Sequence, residues 1–192
     1  MSSSFSTKPF KLRINSGMLR GRFVHFNGTE IRPTKSTVRK TLFNWLRPSI
    51  QGAVCLDCFS GSGILAFEAI SEGAASVTCM DKSPAAIRGI EDNKKRMGIA
   101  GIDAKVHKFP KPLSADNQFD LVFLDPPFDH EHIVVYLDWL LGSGCLKKGG
   151  FIYIEQPKPL QQAEVPQPLR LFKSARTAGV YFSLLKLEDG HE

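Results

Sequence analysis

The stretch that decides the fold is LDCFSGSG, at positions 56–63. It follows an apolar run that begins at Ala53 and precedes the helix-forming segment 64–71. Gly61 and Gly63 allow a tight turn and let a ligand approach the backbone without a β-carbon in the way. A strand, a glycine-rich turn and a helix in this order are typical of the ligand-binding edge of a doubly wound sheet.

The rest of the chain continues this alternation of strands and helices. The hydrophobic pattern predicts strands at 53–58, 76–81, 105–109, 119–124 and 151–155 and helices at 64–71, 85–97 and 131–141. Segments 169–173 and 180–187 predict an antiparallel pair joined through Ala178-Gly179. The predicted fold class is therefore α/β, a Rossmann-like sheet that is mostly parallel with an antiparallel last strand.

The chain is predicted to divide into three parts. Residues 1–9 are polar and are expected to form a disordered tail. Residues 10–50 contain two short alternating runs and then a helical spacing of apolar residues, which predicts a small β-hairpin and a helix. Residues 51–192 form the ligand-binding domain.

Positive charge is concentrated in the first part of the chain. The net charge is +6, but residues 1–50 hold ten lysines and arginines against one acid, Glu30. A basic lobe on a mildly acidic body favours a polyanion such as nucleic acid as partner. The residues that we expect to contact it are Arg13, Arg20, Arg22, Arg32 and Arg39.

Composition excludes several other classes of protein. No run approaches the roughly 20 apolar residues that span a bilayer, so no membrane partner is expected. The four cysteines are typical of reduced core residues in a cytoplasmic protein, and we expect a monomer. Cys55 and Cys58 lack a second pair or a nearby histidine, so no metal site is predicted.

Two acids flank the glycine loop. Asp57, just before the loop, is placed to accept a hydrogen bond from a cationic amino group. Asp81 comes eighteen residues after Gly63, at the end of the second strand, where an acid holds ribose hydroxyls. The spacing Gly61-x-Gly63-x-x-Ala66 also fits the dinucleotide fingerprint, so an NAD-linked oxidoreductase stays open.

A second motif, Asp125-Pro126-Pro127-Phe128, ends the apolar run 119–124 at the same predicted edge. Proline has no N–H and a fixed φ, so the loop is stiff and its carbonyls are free to accept hydrogen bonds from a ligand. Asp125 adds a side-chain acceptor and Phe128 adds a ring for stacking.

This set of acceptors suits the exocyclic amino group of a base. The nitrogen lone pair of such a group is delocalised into the ring, which makes it a poor nucleophile. Two acceptors that bind its hydrogens hold the nitrogen more pyramidal and aim the lone pair at an incoming methyl group. Alignment and electrostatics then supply most of the rate, and a stacked ring holds the unpaired base.

The motifs together resemble the RsmD family of bacterial small-subunit ribosomal RNA guanine-N2 methyltransferases, which have the class I methyltransferase fold. The resemblance spans about residues 11–187 and rests on Arg32-Pro33-Thr34, on the pattern from Val38 to Leu46, on 55–63 and on 125–128. The stretch from Arg32 to Leu46 is specific to the family, whereas the Asp-Pro-Pro-Phe signature identifies the chemistry.

The resemblance implies S-adenosylmethionine as methyl donor and a guanine of small-subunit ribosomal RNA as acceptor, in a small subunit or an assembly intermediate. It implies that the N-terminal strands contact RNA and that residues 10–50 cover the cofactor. The cofactor-binding residues that it implies are Asp57, Phe59, Gly61, Gly63, Asp81 and Thr34.

One position departs from the family pattern. Relatives carry a glutamate two residues before the acid that ends the second strand, and this chain has Cys79 there. A DNA adenine-N6 methyltransferase shares the Asp-Pro-Pro-Phe signature, and a non-catalytic RNA-binding module is a further alternative if Cys79 weakens cofactor binding.

Overall fold

The computed structural model describes residues 10–26, 34–111, 118–126 and 133–188. The strands and helices are β1 (Phe10–Arg13), β2 (Phe23–Phe26), α1 (Ser36–Leu46), β3 (Val54–Asp57), α2 (Ile64–Ser71), β4 (Ser76–Asp81), α3 (Pro84–Met97), β5 (Ile102–Val106), β6 (Phe119–Leu124), α4 (Ile133–Ser143), β7 (Leu146–Gln156), β8 (Leu169–Thr177) and β9 (Val180–Leu187). The predicted tail at 1–9 lies outside the described residues, as do Arg32, Pro127 and Phe128.

Within the described residues, seven strands form one sheet in the order β5-β4-β3-β6-β7-β9-β8. Neighbours from β5 to β7 are parallel, whereas β9 runs antiparallel to both β7 and β8. The predicted fold class and its antiparallel last strand are confirmed. The chain leaves β3 toward β4 on one side and returns to β6 on the other, which opens a crevice at the carboxyl ends of β3 and β6.

The inner strands are apolar because helices cover both faces of the sheet. Cys55 and Phe123 belong to the core beneath α1, α2 and α3. Leu56 and Val122 point the other way, into the core beneath α4. Cys55 and Cys58 lie in different cores, as strand alternation predicts, and both are fully buried.

Local signals in the sequence set two of the chain reversals. The Ser83 hydroxyl accepts from the Ala86 N–H and Pro84 occupies the first turn of α3, as expected for a capped helix start. Ala178 and Gly179 have φ of +50° and +81°, the positive values that a two-residue hairpin turn with the native twist requires.

Two predicted strands begin several residues earlier in the structure. β5 covers Ile102–Val106 instead of 105–109, because Ile102 packs in the core while Phe109 belongs to an aromatic cluster beyond the strand. β7 begins at Leu146 instead of 151, since the strand continues through Gly149 and Gly150.

The N-terminal hairpin β1–β2 packs against α2 and α3. The His25 N–H donates to Asn93 Oδ1 at 2.8 Å, and Asn93 Nδ2 donates back to the His25 carbonyl at 2.6 Å. The Met18 N–H donates to the carbonyl of Ser71, the last residue of α2. Because α2 starts at the carboxyl edge of the sheet and ends at the amino edge, the tip of the hairpin lies at the amino edge.

Helix α1 lies on the same face of the sheet, against β6 and β9. Its Phe43 ring lies 6.2 Å from the Phe123 ring, and its Trp45 ring stacks on Phe182 at 5.1 Å. Among the described residues, none of the helices is long and apolar enough to cross a membrane.

Candidate active site

Three aspartates end three neighbouring strands at the carboxyl edge of the sheet. Asp57 is the last residue of β3, Asp81 is the last residue of β4, and Asp125 directly follows β6. The register places Asp57 opposite Cys79 on β4 and Phe123 on β6, so Asp81 and Asp125 lie two residues beyond those partners. The structure thus brings together the acids that the two sequence motifs supply.

The glycine loop between β3 and α2 has a fixed path. The Ser60 N–H donates to the Met80 carbonyl at 3.0 Å, which ties the loop to β4. Gly63 caps α2 with φ of +76°, and a β-carbon there would lie 2.8 Å from Ile90 Cγ1. Glycine is therefore required at 63 both for its backbone conformation and for close packing against α3.

Asp81 ties this loop to the neighbouring helix. Its Oδ2 accepts from the Gly61 N–H at 2.8 Å, and its Oδ1 accepts from the Ser83 N–H at 2.8 Å. Each carboxylate oxygen has a second lone pair, so the same carboxylate retains acceptor sites for ribose hydroxyls. The sequence predicts that Asp81 accepts from ribose hydroxyls, whereas its bond to the Gly61 N–H is visible only in the structure.

Asp57 is buried at the base of the loop, with 3% of its surface exposed. Burial, reinforced by the negative charge of Asp81, raises the pKa of this carboxyl from its usual value near 3.8 to about 8. The Phe59 N–H and the Ser60 side chain oppose the shift by hydrogen bonding to it. A cationic ligand group beside Asp57 would favour its ionised form.

Cys79, at the position where the family pattern has glutamate, is fully buried between these acids and the core. Burial raises the pKa of its thiol well above the usual value, so it remains a neutral thiol. Asp57 and Asp81 are therefore the acids that this part of the edge offers to a ligand.

An aromatic cluster borders the loop on the α4 side. The Phe59 ring contacts Phe109 at 5.3 Å and meets Tyr136 edge-on at 5.2 Å, and Phe109 meets Trp139 edge-on at 4.8 Å. Phe59 is half-buried, so part of its ring still borders the loop. The sequence analysis assigned no role to Phe109, Tyr136 or Trp139. Their residue types are evident from the sequence, but their packing around Phe59 is not.

On the other side of the crevice, Asp125 is half-buried and Pro126 is buried. Tyr153 donates its hydroxyl to Glu155 Oε1 at 2.6 Å, and both side chains are buried. Burial, with the charges of Glu155 and Asp125, raises the pKa of Tyr153 well above its usual value. The pairing of Leu124 with Ile154 places Glu155 beside Asp125 as a second carboxylate, and the run Phe151–Glu155, a strand that ends in an acid, was the signal for it.

The prediction that Arg39 contacts nucleic acid is wrong, because this side chain is 2% exposed and ion-paired with the buried Glu68. Arg39 Nε donates to the Thr34 carbonyl at 3.1 Å, and its Nη1 donates to the Arg13 carbonyl at 3.0 Å. Thr34 is itself buried, so Arg39 fixes the segment that leads into α1. This role is internal and structural.

The other described arginines of the basic lobe are exposed. Arg13 and Arg22 lie on the hairpin strands or beside them, and Arg20 lies in the turn at the amino edge. Arg22 also donates to the carbonyl of Met97, which fastens the hairpin to the end of α3. The sheet therefore separates Arg20 from the three aspartates, and a ligand that contacts both must be large.

A seven-stranded sheet with β9 reversed, a glycine loop after β3 and acids at the ends of β3, β4 and β6 define a class I methyltransferase. A solved chain from Escherichia coli that is named as a methyltransferase has a TM-score of 0.82 and 30% identity over 94% of this chain and all of that one. A Haemophilus influenzae structure named as a methylase has a TM-score of 0.74 and 31% sequence identity, over 94% of this chain and all of its own length.

The sequence profile of the family described as Conserved hypothetical protein 95 matches residues 12–186, and the chain belongs to this family. Ribosomal RNA small subunit methyltransferase D of Buchnera aphidicola is 36% identical over 92% of this chain and 94% of its own length. The protein of the same name from Escherichia coli K12 is 33% identical over 93% of this chain and 91% of its own length. The family resemblance drawn from the motifs is confirmed.

Proposed function

We propose that this protein transfers a methyl group from S-adenosylmethionine to the exocyclic N2 amino group of a guanine in small-subunit ribosomal RNA. The observation that carries the proposal is the position of Asp125 and Pro126 at the end of β6, next to the glycine loop of β3. The relatives named as ribosomal RNA small subunit methyltransferase D support the RNA acceptor, since they match over almost their whole length.

The residues at the carboxyl edge fit the cofactor. Asp57 faces its ammonium group, Gly61 and Gly63 turn the loop beneath its chain with φ of +49° and +76°, and Asp81 accepts from its ribose hydroxyls. The half-buried Phe59 ring borders the same space. Thr34 lies in the segment before α1, which is the part of residues 10–50 that we assign to covering the cofactor, because the hairpin tip lies at the opposite edge. When bound, the cofactor supplies a methyl group that its sulfonium has already activated.

Asp125 and Pro126 act on the acceptor. The Asp125 carboxylate and the Pro126 carbonyl accept hydrogen bonds from the two N–H groups of the guanine amino nitrogen. These bonds keep the lone pair of that nitrogen directed into the crevice. The methylated nitrogen must lose one proton, and we assign the Asp125 carboxylate as the group that accepts it. Stacking of the base on Phe128 belongs to the same proposal, although Phe128 lies outside the described residues.

The substrate contacts beyond the base are proposed from charge. Arg13, Arg20 and Arg22 are exposed and carry the basic surface of the hairpin, and Arg32 belongs to the same basic lobe. The RNA is part of a small subunit or an assembly intermediate in the cytoplasm, and the enzyme acts as a monomer. An RNA-protein particle is large enough to contact both the hairpin tip and the reacting edge.

The test is transfer of radiolabelled methyl from S-adenosylmethionine to naked small-subunit RNA, to small subunits from cells that lack the enzyme, and to duplex DNA. N2-methylguanosine in the RNA or the subunits is expected. N6-methyladenine in DNA would instead establish a DNA adenine methyltransferase, and absence of label from every acceptor contradicts the proposed target.

The variant D125A is expected to lose about 100- to 1000-fold in methyl transfer, because one of two acceptors for the amino group is gone. D125N retains an acceptor oxygen and should keep part of the activity. D120N is the matched control, since Asp120 lies at the other end of β6 and binds Val54 and Lys147. Cofactor affinity should be the same in all three; full activity of D125A would remove Asp125 from the reaction.

A further inference from the structure

A second basic surface, distinct from the N-terminal hairpin, lies along the β8 edge of the sheet. Residues 165–187, which contain β8 and β9, include four lysines and arginines and no aspartate or glutamate. One of the four, Arg170, pairs with the flanking Glu188 at 3.5 Å. Residues 34–50, which contain α1, also hold no acid. Two acid-free segments far apart in the sequence therefore share one face of the fold.

Contacts between these segments make the surface continuous. Lys35 Nζ donates to the Ala178 carbonyl at 2.6 Å, which joins the start of α1 to the β8–β9 turn. Trp45 stacks on Phe182 near the other end of the helix. Because β9 runs antiparallel to β7, the Ala178 turn lies at the carboxyl edge of the sheet, so the surface begins at the reacting edge.

Aromatic rings and ammonium groups alternate on this face. Phe172 is 44% exposed, and its ring contacts the Phe151 ring at 5.4 Å. The Lys173 ammonium lies 5.6 Å from the Phe172 ring centre and 6.0 Å from that of Trp45. Lys186 lies 5.9 Å from the Phe151 ring centre. We call this the edge surface, made of Lys35, Trp45, Phe172, Lys173 and Lys186.

We propose that the edge surface binds a second part of the substrate RNA, with an unpaired base stacked on Phe172 and the adjoining phosphates on Lys173 and Lys186. Lysines that track a phosphate backbone beside exposed aromatic rings are the combination that binds single-stranded nucleic acid. The inference rests on the proposed function, because it assigns further contacts to the same RNA.

Edge strands also carry lysines for another reason. A lysine on an unpaired strand edge prevents pairing with another chain, and β8 is such an edge. Edge protection alone does not require an exposed phenylalanine between the lysines, nor acid-free segments in both α1 and β8–β9. It also predicts no effect on RNA, which separates the two explanations by experiment.

The test measures binding of small-subunit RNA by wild type, K173Q/K186Q and F172A over a range of salt concentrations. Loss of two phosphate contacts should reduce the slope of log affinity against log salt by about 1.5. F172A should weaken binding by about tenfold at an unchanged slope, because stacking carries no counterion release. The control R88Q/K105Q neutralises two exposed cations on α3 and β5, at the opposite end of the sheet.

Methyl transfer by the wild type separates the two levels of the proposal. If the wild type methylates no RNA, the proposed function fails first. If it does, and K173Q/K186Q keeps the slope of the wild type, the edge surface is not an RNA contact. A loss confined to assembled subunits, with naked RNA bound normally, would assign the surface to a ribosomal protein and also overturn the inference. Cofactor affinity, unchanged in every variant, verifies that each one is folded.

Discussion

Two of the buried carboxylates on one face of the sheet, Glu68 and Asp57, differ in their surroundings. Glu68, in α2, is fully buried beneath the N-terminal extension, where it pairs with Arg39 and accepts from the Asn15 N–H and Nδ2 at 3.0 and 2.9 Å. Asp57, at the reacting edge, is almost as buried. Among the described groups that shift its pKa, the charged one is another carboxylate, Asp81.

The difference separates a structural carboxylate from one that is placed for a ligand. Glu68 has an internal counter-ion, and its partners join α1, α2 and the hairpin. Asp57 is held in a site that disfavours its charge, and a cationic ligand relieves that cost. The comparison therefore makes opposite predictions: removing the Arg39–Glu68 interaction should affect folding, and removing the Asp57 charge should affect binding.

The largest effect is expected from R39M. It leaves the Glu68 carboxylate buried without its counter-ion, and loss of one partner of a buried pair costs about 3–5 kcal/mol of unfolding free energy. Urea denaturation measures this change. R39M/E68Q should recover the part of the loss that comes from the unpaired charge, because the amide oxygen still accepts from Asn15 while the bonds to the Thr34 and Arg13 carbonyls stay absent. The half-exposed pair of Lys94 and Glu91 is the control, and K94M should change the unfolding free energy by less than about 1 kcal/mol. A similarly small change in R39M would contradict the structural role.

A smaller effect, on binding, is expected from D57N. Loss of a charged hydrogen-bond acceptor should raise the dissociation constant of S-adenosylmethionine by about 10- to 100-fold, measured by titration calorimetry. Stability at pH 8 should not fall. The folded-state pKa of Asp57 is raised, so stability falls as the pH increases from about 4 to about 8, because the carboxyl ionises in the unfolded state and stays protonated in the folded one. D120N should bind the cofactor normally, and equal affinities for D57N and wild type would exclude Asp57 as its partner.

The smallest effect is a change in proton count. At pH 6.5 the Asp57 carboxyl is protonated in the free enzyme, because its pKa is about 8. Pairing with the ammonium of the cofactor favours the carboxylate, so binding should release close to one proton. Calorimetry in two buffers of different ionisation enthalpy measures that number. D57N should release none, and a wild type that also releases none would mean that Asp57 does not ionise on binding.

Much of the fold follows from short-range patterns. The bounds of α2, β4, β6 and β9 agree with the prediction because each is a run of apolar residues between clear turn signals. β5 was misplaced because its exposed edge residues weaken the alternation. The start of β7 was missed because the prediction began at Phe151, whereas the strand starts at Leu146 and passes through Gly149 and Gly150, which interrupt its apolar pattern.

In the candidate site too, some residues follow from short-range patterns and others do not. The positions of Asp57, Asp81 and Asp125 at the ends of adjacent strands follow from the motifs and the expected strand order. The burial of Arg39 does not, because its partner Glu68 lies 29 residues away in another helix and a charge in the sequence does not reveal its partner. Glu155 and the rings around Phe59 were missed for the same reason, since tertiary packing brings them to the edge.

The hydrogen bonds of Arg39 limit which sequences can keep this fold. One guanidinium serves the carboxylate of Glu68 and the carbonyls of Thr34 and Arg13. A lysine has one ammonium at the end of a flexible stem and cannot reproduce that planar set of donors. Positions 39 and 68 are therefore expected to vary together during evolution, and a lysine at 39 should be rare among sequences that keep an acid at 68.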